Sequence, residues 1–169
     1  MKNFVYLASQ SPRRRQLLEQ IGVRYELLLP TPDEDAEALE MVLPGEAPLS
    51  YVKRVTQLKL EAAMLRLKTR NLPKGPVLCA DTTVALGREI LGKPDNAQDA
   101  LRILKKLSGN THRVLTAVAI GEGKRRVSSV SISSVTFASM TSAEMKAYVA
   151  SGEPMGKAGA YGVQGLAAA

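Results

Sequence analysis

At 169 residues the chain has room for one domain with a sizeable core, or for two lobes that share one sheet. Its 45% apolar content excludes a disordered chain, and no apolar stretch approaches a bilayer span. The run Phe4 to Ala8 is too short for a signal sequence, so a cytoplasmic protein without a membrane partner is expected. A single Cys, Cys79, and a single His, His112, exclude a clustered structural zinc site, and Cys79 reads as a small buried hydrophobe. The formal charge is +7, from 23 Lys and Arg against 16 Asp and Glu, which favours an acidic ligand. With no Trp and two Phe there are few stacking platforms for single-stranded nucleic acid, so a small phosphorylated ligand fits better than a polymer.

Phe4 to Ala8 reads as a first strand, followed by SQSPRRRQLLEQIG. Ser11 supplies a capping oxygen, Pro12 suits the first helical position, Leu17, Leu18 and Ile21 form a buried stripe, and Gly22 stops the helix. The helix start gathers the hydroxyls of Ser9 and Ser11 with the guanidinium groups of Arg13 and Arg14. Arginines in a first turn oppose the helix dipole unless an anion binds there, which points to a phosphate site. Val23 to Leu29 is a second strand, and in the acidic run after it Glu34 and Asp35 are candidates for one ligand of a hard divalent cation. A long helix is predicted from Pro48 to near Asn71, with Tyr51, Val55, Leu58, Ala62 and Leu65 as its apolar stripe and Lys59 on the border. Its basic tail reads as a solvated helix end and linker.

Val77 to Ala80 is a short buried strand that delivers Asp81 at its C-terminal edge, where ligands of open α/β sheets bind. The run resumes at Val84, breaks at Gly87 and leads to Lys93, held between Gly92 and Pro94. Asp95 and Gln98 form an expected capping box for a helix with Ala97, Leu101, Leu104 and Leu107 on its apolar side, closed by Gly109. His112 is read as a loop residue. Val114 to Ile120 and Arg126 to Phe137 are strands about a GEGK turn, and a bulge near Ser133 or Ser134 would put Val130, Ile132, Val135 and Phe137 on one buried face. Thr141 and Glu144 cap a last helix whose core side is Met145, Tyr148 and Val149, with Gly152 ending it. The glycine-dense EPMGKAGAYGVQG follows, carrying Lys157, Tyr161 and Gln164. The Gln164 amide can both donate and accept, as reading a base edge requires.

The segments YLASQSPRR, ADTTV at Asp81, ILGKP at Lys93, LRILKKLSGNTHRVLTAVA and EPMGKAGAYGVQG occur in order along the chain. Together they resemble the Maf-like family of nucleoside triphosphate pyrophosphatases, and within it the branch that hydrolyses dTTP and UTP. The resemblance implies an α/β, ITPase-like fold: an elongated mixed twisted sheet with flanking helices forming two lobes around a central cleft. It makes residues 1–169 a single domain lacking the family's C-terminal strand and helix. It implies Asp81 as the proton acceptor and Arg13, Thr82 and Gln164 as the pyrimidine-selecting residues. Phosphate and metal residues then fall on Ser9, Arg14, Glu34, Lys59, Lys93 and Lys157, with Mg2+ or Mn2+ on Glu34 and Asp81. The branch acting on 7-methyl-GTP typically has Trp at the position of Arg13.

Two departures from the family stand out. Thr56 and Leu58 replace an Ala and a Glu common in relatives, and relatives continue through Gly-Ser-Tyr and Gly-Leu-Pro segments to a closing helix. The implied reaction cleaves the triphosphate between its α and β phosphates, and a homodimer without stable nucleic-acid binding is expected. Canonical dTTP and UTP, and modified pyrimidine nucleotides, are the implied substrates. The competing readings are a basic nucleic-acid-binding protein, whose affinity would fall with salt, and an interaction or division-inhibiting protein with little turnover.

Overall fold

A computed structural model describes residues 4–36 and 38–168. It is an α/β protein with a mixed sheet flanked by helices, as the sequence implied. Its strands are β1 (Val5–Leu7), β2 (Tyr25–Leu27), β3 (Val77–Leu86), β4 (Glu89–Leu91), β5 (Thr111–Glu122) and β6 (Arg125–Thr136). Its α-helices are α1 (Pro12–Gln20), α2 (Pro48–Thr69), α3 (Ala97–Leu107) and α4 (Ser142–Ala150), with 3-10 turns at Ala38–Glu40, Ala158–Ala160 and Leu166–Ala168. The sheet order is β2-β1-β3-β5-β6, and β4 pairs with β3. The chain divides into two compact units, the first comprising Met1–Glu46, Ser50–Asp81 and Ala117–Val130, the second Ala47–Leu49, Thr82–Thr116 and Ser131–Ala169.

In the first unit β1 pairs in parallel with both β2 and β3, matching Val5–Leu7 to Tyr25–Leu27 and Tyr6 and Leu7 to Val77 and Leu78. Helix α2 covers this sheet, burying Leu60, Ala63 and Leu67 against Tyr6, Leu28, Val77, Cys79 and Ala119. The stripe agrees with the expected one at Tyr51 and Val55, which are buried, and departs from it further along, where Leu58 and Leu65 are exposed while Leu60 and Ala63 are buried. The helix carries leucines on both faces, and only the sheet decides which of them it covers. In α1 the expected stripe is narrower too, since Leu18 is buried but Leu17 and Ile21 are exposed. The supposed linker end of α2 is a structural brace. Buried Arg66 donates to Leu28 O at 3.0 Å and Arg70 to Leu29 O at 2.9 Å, tying the helix to the exit of β2.

In the second unit α3 buries Ala100, Ile103, Leu104 and Leu107 against Val84, Leu91, Ala160 and Tyr161, and Met145, Tyr148 and Val149 of α4 pack on the same cluster. The cap of α3 is one residue later than predicted: Asn96 Oδ1 accepts from Asp99 N at 2.9 Å, because Asp95 lies just outside the helix. The α4 capping box is as expected, with Thr141 and Glu144 bonded reciprocally. His112 lies in β5, not in a loop, and is buried against Phe137 and Tyr161. Strand β6 has no buried face: Val130 and Val135 are half-buried while Ile132 is exposed, so the expected bulge does not gather them inside.

Candidate active site

The strand bearing Asp81 does not stop there. β3 runs on through Thr82 and Thr83 to Leu86, so the expectation of a strand-end carboxylate is corrected. The strand that ends is β1, and it ends opposite Leu78, three residues before Asp81 on β3. Its register on β3 closes at Leu78, where Ala8 N donates to Leu78 O at 2.9 Å, and the chain then turns into α1. With β2 on one side and β3 on the other, β1 is the place where strand order reverses. The space beyond the carboxyl end of such a strand is where open α/β sheets bind ligands.

Two groups of side chains meet at this end of the first unit. The first is an ion-pair bridge. Lys59, midway along α2, donates from Nζ to Asp81 Oδ1 at 2.7 Å and to Glu40 Oε1 at 2.8 Å. Asp81 is buried, with 11% of its side chain exposed against 21% for Lys59, so this pair is more than a solvated surface contact. Burial alone pulls the Lys59 ammonium down, but Asp81 and Glu40 more than offset it and leave its pKa raised. Lys59 is charged throughout the neutral range.

The second group is the β1–α1 turn. Ser9 Oγ accepts from Ser11 N at 3.2 Å and from Arg14 Nη1 at 3.1 Å, while Ser11 makes no side-chain cap. Ser9 therefore organises the helix start in place of Ser11, because it lies inside the turn and is buried. Burial lowers the Arg14 pKa, and the charges of Asp81 and Glu40 act in the opposite sense. Arg13 is exposed and its guanidinium has no partner among the described residues.

Glu40 escaped the sequence reading. It closes a 3-10 turn that Asp35 caps by accepting from Ala38 N at 3.0 Å, and side chains of α2 anchor the backbone on its C-terminal side. Tyr51 donates to Glu40 O at 2.8 Å, and Arg54 donates to Met41 O at 2.7 Å while pairing with Glu46. Burial first, then the charges of Asp81 and Glu40, push the Tyr51 phenol up to about 12, so it remains a donor. No local signal separates Glu40 from the other acids of its run. Glu34, the residue named from sequence, instead receives Arg66 at 2.6 Å and Arg70 at 3.4 Å.

A divalent cation of the implied kind takes oxygen ligands, often one or two carboxylates completed by phosphates and water. Asp81 and Glu40 fit, since both already reach one positive group. Glu34 does not, because both its oxygens are held by arginine. Among the described residues there is no group of three or more His, Cys, Asp or Glu side chains able to hold a metal ion.

The remaining sequence-named residues lie in the second unit. The Thr82 hydroxyl meets that of Thr116 at 3.2 Å, and Lys93 is exposed in the loop after β4. Lys157 is exposed and donates to Glu153 O at 2.5 Å. Gln164 is exposed, and its amide has no hydrogen-bond partner among the described residues.

These features define an α/β protein with a cluster of buried and half-buried charged side chains, Asp81, Lys59, Glu40 and Arg14, in its first unit. The model of the family described as Maf-like protein matches residues 4–169, and the chain belongs to that family. It is 68% identical over 166 residues to the dTTP/UTP pyrophosphatase of Polaromonas sp. (strain JS666 / ATCC BAA-500), covering 98% of this chain and 82% of that protein. It is 67% identical over 169 residues to the dTTP/UTP pyrophosphatase of Albidiferax ferrireducens, covering 100% and 84%. The dTTP/UTP pyrophosphatase of Cupriavidus pinatubonensis is 61% identical over 168 residues, covering 99% and 84%. Among the described residues no helix is long and apolar enough to cross a membrane.

Proposed function

We propose that this protein hydrolyses dTTP and UTP at the α–β phosphoanhydride bond, giving the nucleoside monophosphate and pyrophosphate, with residues 1–169 acting as one pyrophosphatase domain. The observation that carries the reading is the buried Asp81 carboxylate, ion-paired to Lys59 beside the Ser9–Arg14 turn. High identity to three dTTP/UTP pyrophosphatases supports the choice of substrate. A water attacks the α phosphorus, its proton passes to Asp81, and the bridging bond to the β phosphorus breaks with its electrons leaving on pyrophosphate. Lys59 orients the Asp81 carboxylate by its hydrogen bond. Ser9, Ser11 and Arg14 bind phosphate oxygens at the start of α1, where free N–H groups favour anions. Arg13, Lys93 and Lys157 supply further positive charge to the triphosphate. Asp81 and Glu40 would hold a divalent cation, Mg2+ or Mn2+, which would supply positive charge against the phosphates and Lewis acidity toward the attacking water.

Base choice rests on Arg13, Thr82 and Gln164. Uracil and thymine present two carbonyl acceptors about one N–H donor, whereas cytosine replaces one carbonyl with an amine. A pocket built for the first pattern opposes a donor to that amine, and such a mismatch costs roughly tenfold to a hundredfold in rate. The same residues would accept modified pyrimidines that keep this edge. We further propose that the protein acts in the cytoplasm and, as the family resemblance implies, as a homodimer.

The test is pyrophosphate release from dTTP, UTP, CTP and GTP with Mg2+ present. The reading expects dTTP and UTP to be preferred and Asp81→Asn to abolish turnover with the fold intact. Equal turnover by Asp81→Asn, or no pyrophosphate from any of the four, would overturn it.

A further inference from the structure

Gln164 lies at the exposed corner of a four-residue turn closed by a hydrogen bond from Gly165 N to Gly162 O at 3.0 Å. Nothing in the turn itself fixes where that amide stands. Both of its ends, however, are held by one pair of side chains. Tyr148 of α4 donates its hydroxyl to Glu153 Oε1 at 2.8 Å, and the Tyr148 hydroxyl oxygen accepts from Gly162 N at 3.3 Å. Glu153 Oε2 accepts from Leu166 N at 3.0 Å. Lys157 Nζ donates to the main-chain carbonyl of Glu153 at 2.5 Å.

The packing is tight enough to be specific. A Cβ placed on Gly165 would lie 2.5 Å from each Glu153 carboxylate oxygen, closer than real contacts allow, so glycine is required for the carboxylate to lie across the turn. The Leu166 amide, then the Tyr148 hydroxyl, hold the Glu153 carboxyl below its usual range, and it remains an acceptor at neutral pH. Burial keeps the Tyr148 phenol protonated. The Tyr148 ring packs on the core cluster around α3, while its hydroxyl and the half-buried Glu153 carboxylate bond to the backbone of the surface turn.

We propose that Tyr148 and Glu153 form a positioning clamp that sets the Gln164 amide and thereby the protein's discrimination among nucleobases. This rests on the reading of Gln164 as a base-contacting residue. A drift of the turn by about one ångström would cost selectivity before it cost chemistry, because hydrogen-bond readout depends on alignment, and Asp81, Lys59, Ser9 and Arg14 do not lie on this turn.

The experiment is steady-state kinetics of the full chain on dTTP, UTP and CTP for the parent, Tyr148→Phe, Glu153→Ala, Gly165→Ala and Gln164→Ala. Glu153→Ala, Gly165→Ala and Gln164→Ala are expected to lower the UTP-to-CTP ratio of kcat/KM roughly tenfold. The loss should fall mainly on KM for UTP and dTTP. Tyr148→Phe should lower the ratio by a smaller factor, and Gly165→Ala should add nothing in a Glu153→Ala background, where the atoms it would strike are gone. If Gln164→Ala lowers the ratio while Glu153→Ala and Tyr148→Phe keep the parent value, the clamp is overturned and the base reading stands. If Gln164→Ala itself keeps the parent ratio, the base reading falls and the clamp with it. Should Glu153→Ala fail to fold, Tyr148→Phe, which removes one hydroxyl, decides the matter by the same ratio.

Discussion

Lys59 and Asp81 stand 22 positions apart in sequence and 2.7 Å apart in space, on a helix and a strand that share the core of the first unit. The contact requires α2 to turn Lys59 toward the sheet one residue before Leu60 enters the core, and it requires β3 to carry Asp81 past the end of β1. Because Glu40 meets the same ammonium, two carboxylates are held close without mutual repulsion.

Removing either member of the bridge should separate chemistry from stability. Asp81→Asn keeps a side-chain oxygen for Lys59, so turnover should fall to background, a loss of about 10⁴-fold, while the urea midpoint changes little. Lys59→Met leaves both carboxylates facing each other and should cost about 2 kcal/mol of unfolding free energy in addition to activity. Urea titration alongside pyrophosphate release measures both. An Asp81→Asn chain as destabilised as Lys59→Met would show that the carboxylate is mainly structural.

Glu40 and Glu34 should behave differently although both belong to one acidic run. Glu40→Gln is expected to raise the Mg2+ concentration needed for half-maximal activity, and Glu34→Gln is not. The hydrogen bonds from Arg66 hold the Glu34 carboxyl down to about 2 from an ordinary 4.5. Its folded pKa is depressed, so its stabilisation is present above 4.5 and lost as pH falls toward 2. Melting temperatures from about pH 6 to about pH 2 should therefore decline less steeply for Glu34→Gln than for the parent.

The only histidine should report on acid stability near neutrality. His112 Nε2 lies 2.6 Å from the Tyr161 hydroxyl, and Nδ1 is buried without a partner among the described residues. Burial lowers the His112 pKa from its ordinary 6.5 and raises that of Tyr161 to about 12. The unfolded chain then takes up a proton at His112 before the folded chain does, so stability falls as pH drops below 6.5. His112→Phe should flatten the decline in melting temperature between about pH 7.5 and about pH 5.5, whatever its effect at the upper end.

Cys79 should be inert in the folded protein. It is fully buried in the β3 core, and burial pushes its thiol up to about 12 despite the nearby charges of Arg66, Lys59 and Arg14. The thiolate is the reactive species, so iodoacetamide at about pH 8 should label the chain only after denaturation. Labelling of the native protein with loss of activity would contradict this placement.

Much of the chain was legible from local chemistry. Pro12 opens α1, Thr141 and Glu144 close their capping box, and Gly22, Gly109 and Gly152 follow helices in the left-handed region, because these signals act within a turn or two of the residues that carry them. The family motifs were legible for the same reason, since each is a contiguous string.

What the string of residues did not decide was partnership across the fold. Leucines on both faces of α2 left its buried side open, and the sheet chose Leu60 over Leu58. Several acids between β2 and α2 were equivalent by spacing. The tertiary structure gave Glu34 to Arg66 and Glu40 to Lys59, because Tyr51 and Arg54 hold the backbone at Glu40 and Met41 against α2. The residue types determined that a carboxylate, an ammonium and a guanidinium would be present. Register and helix packing, which depend on closing long stretches of chain at once, determined which of them would meet.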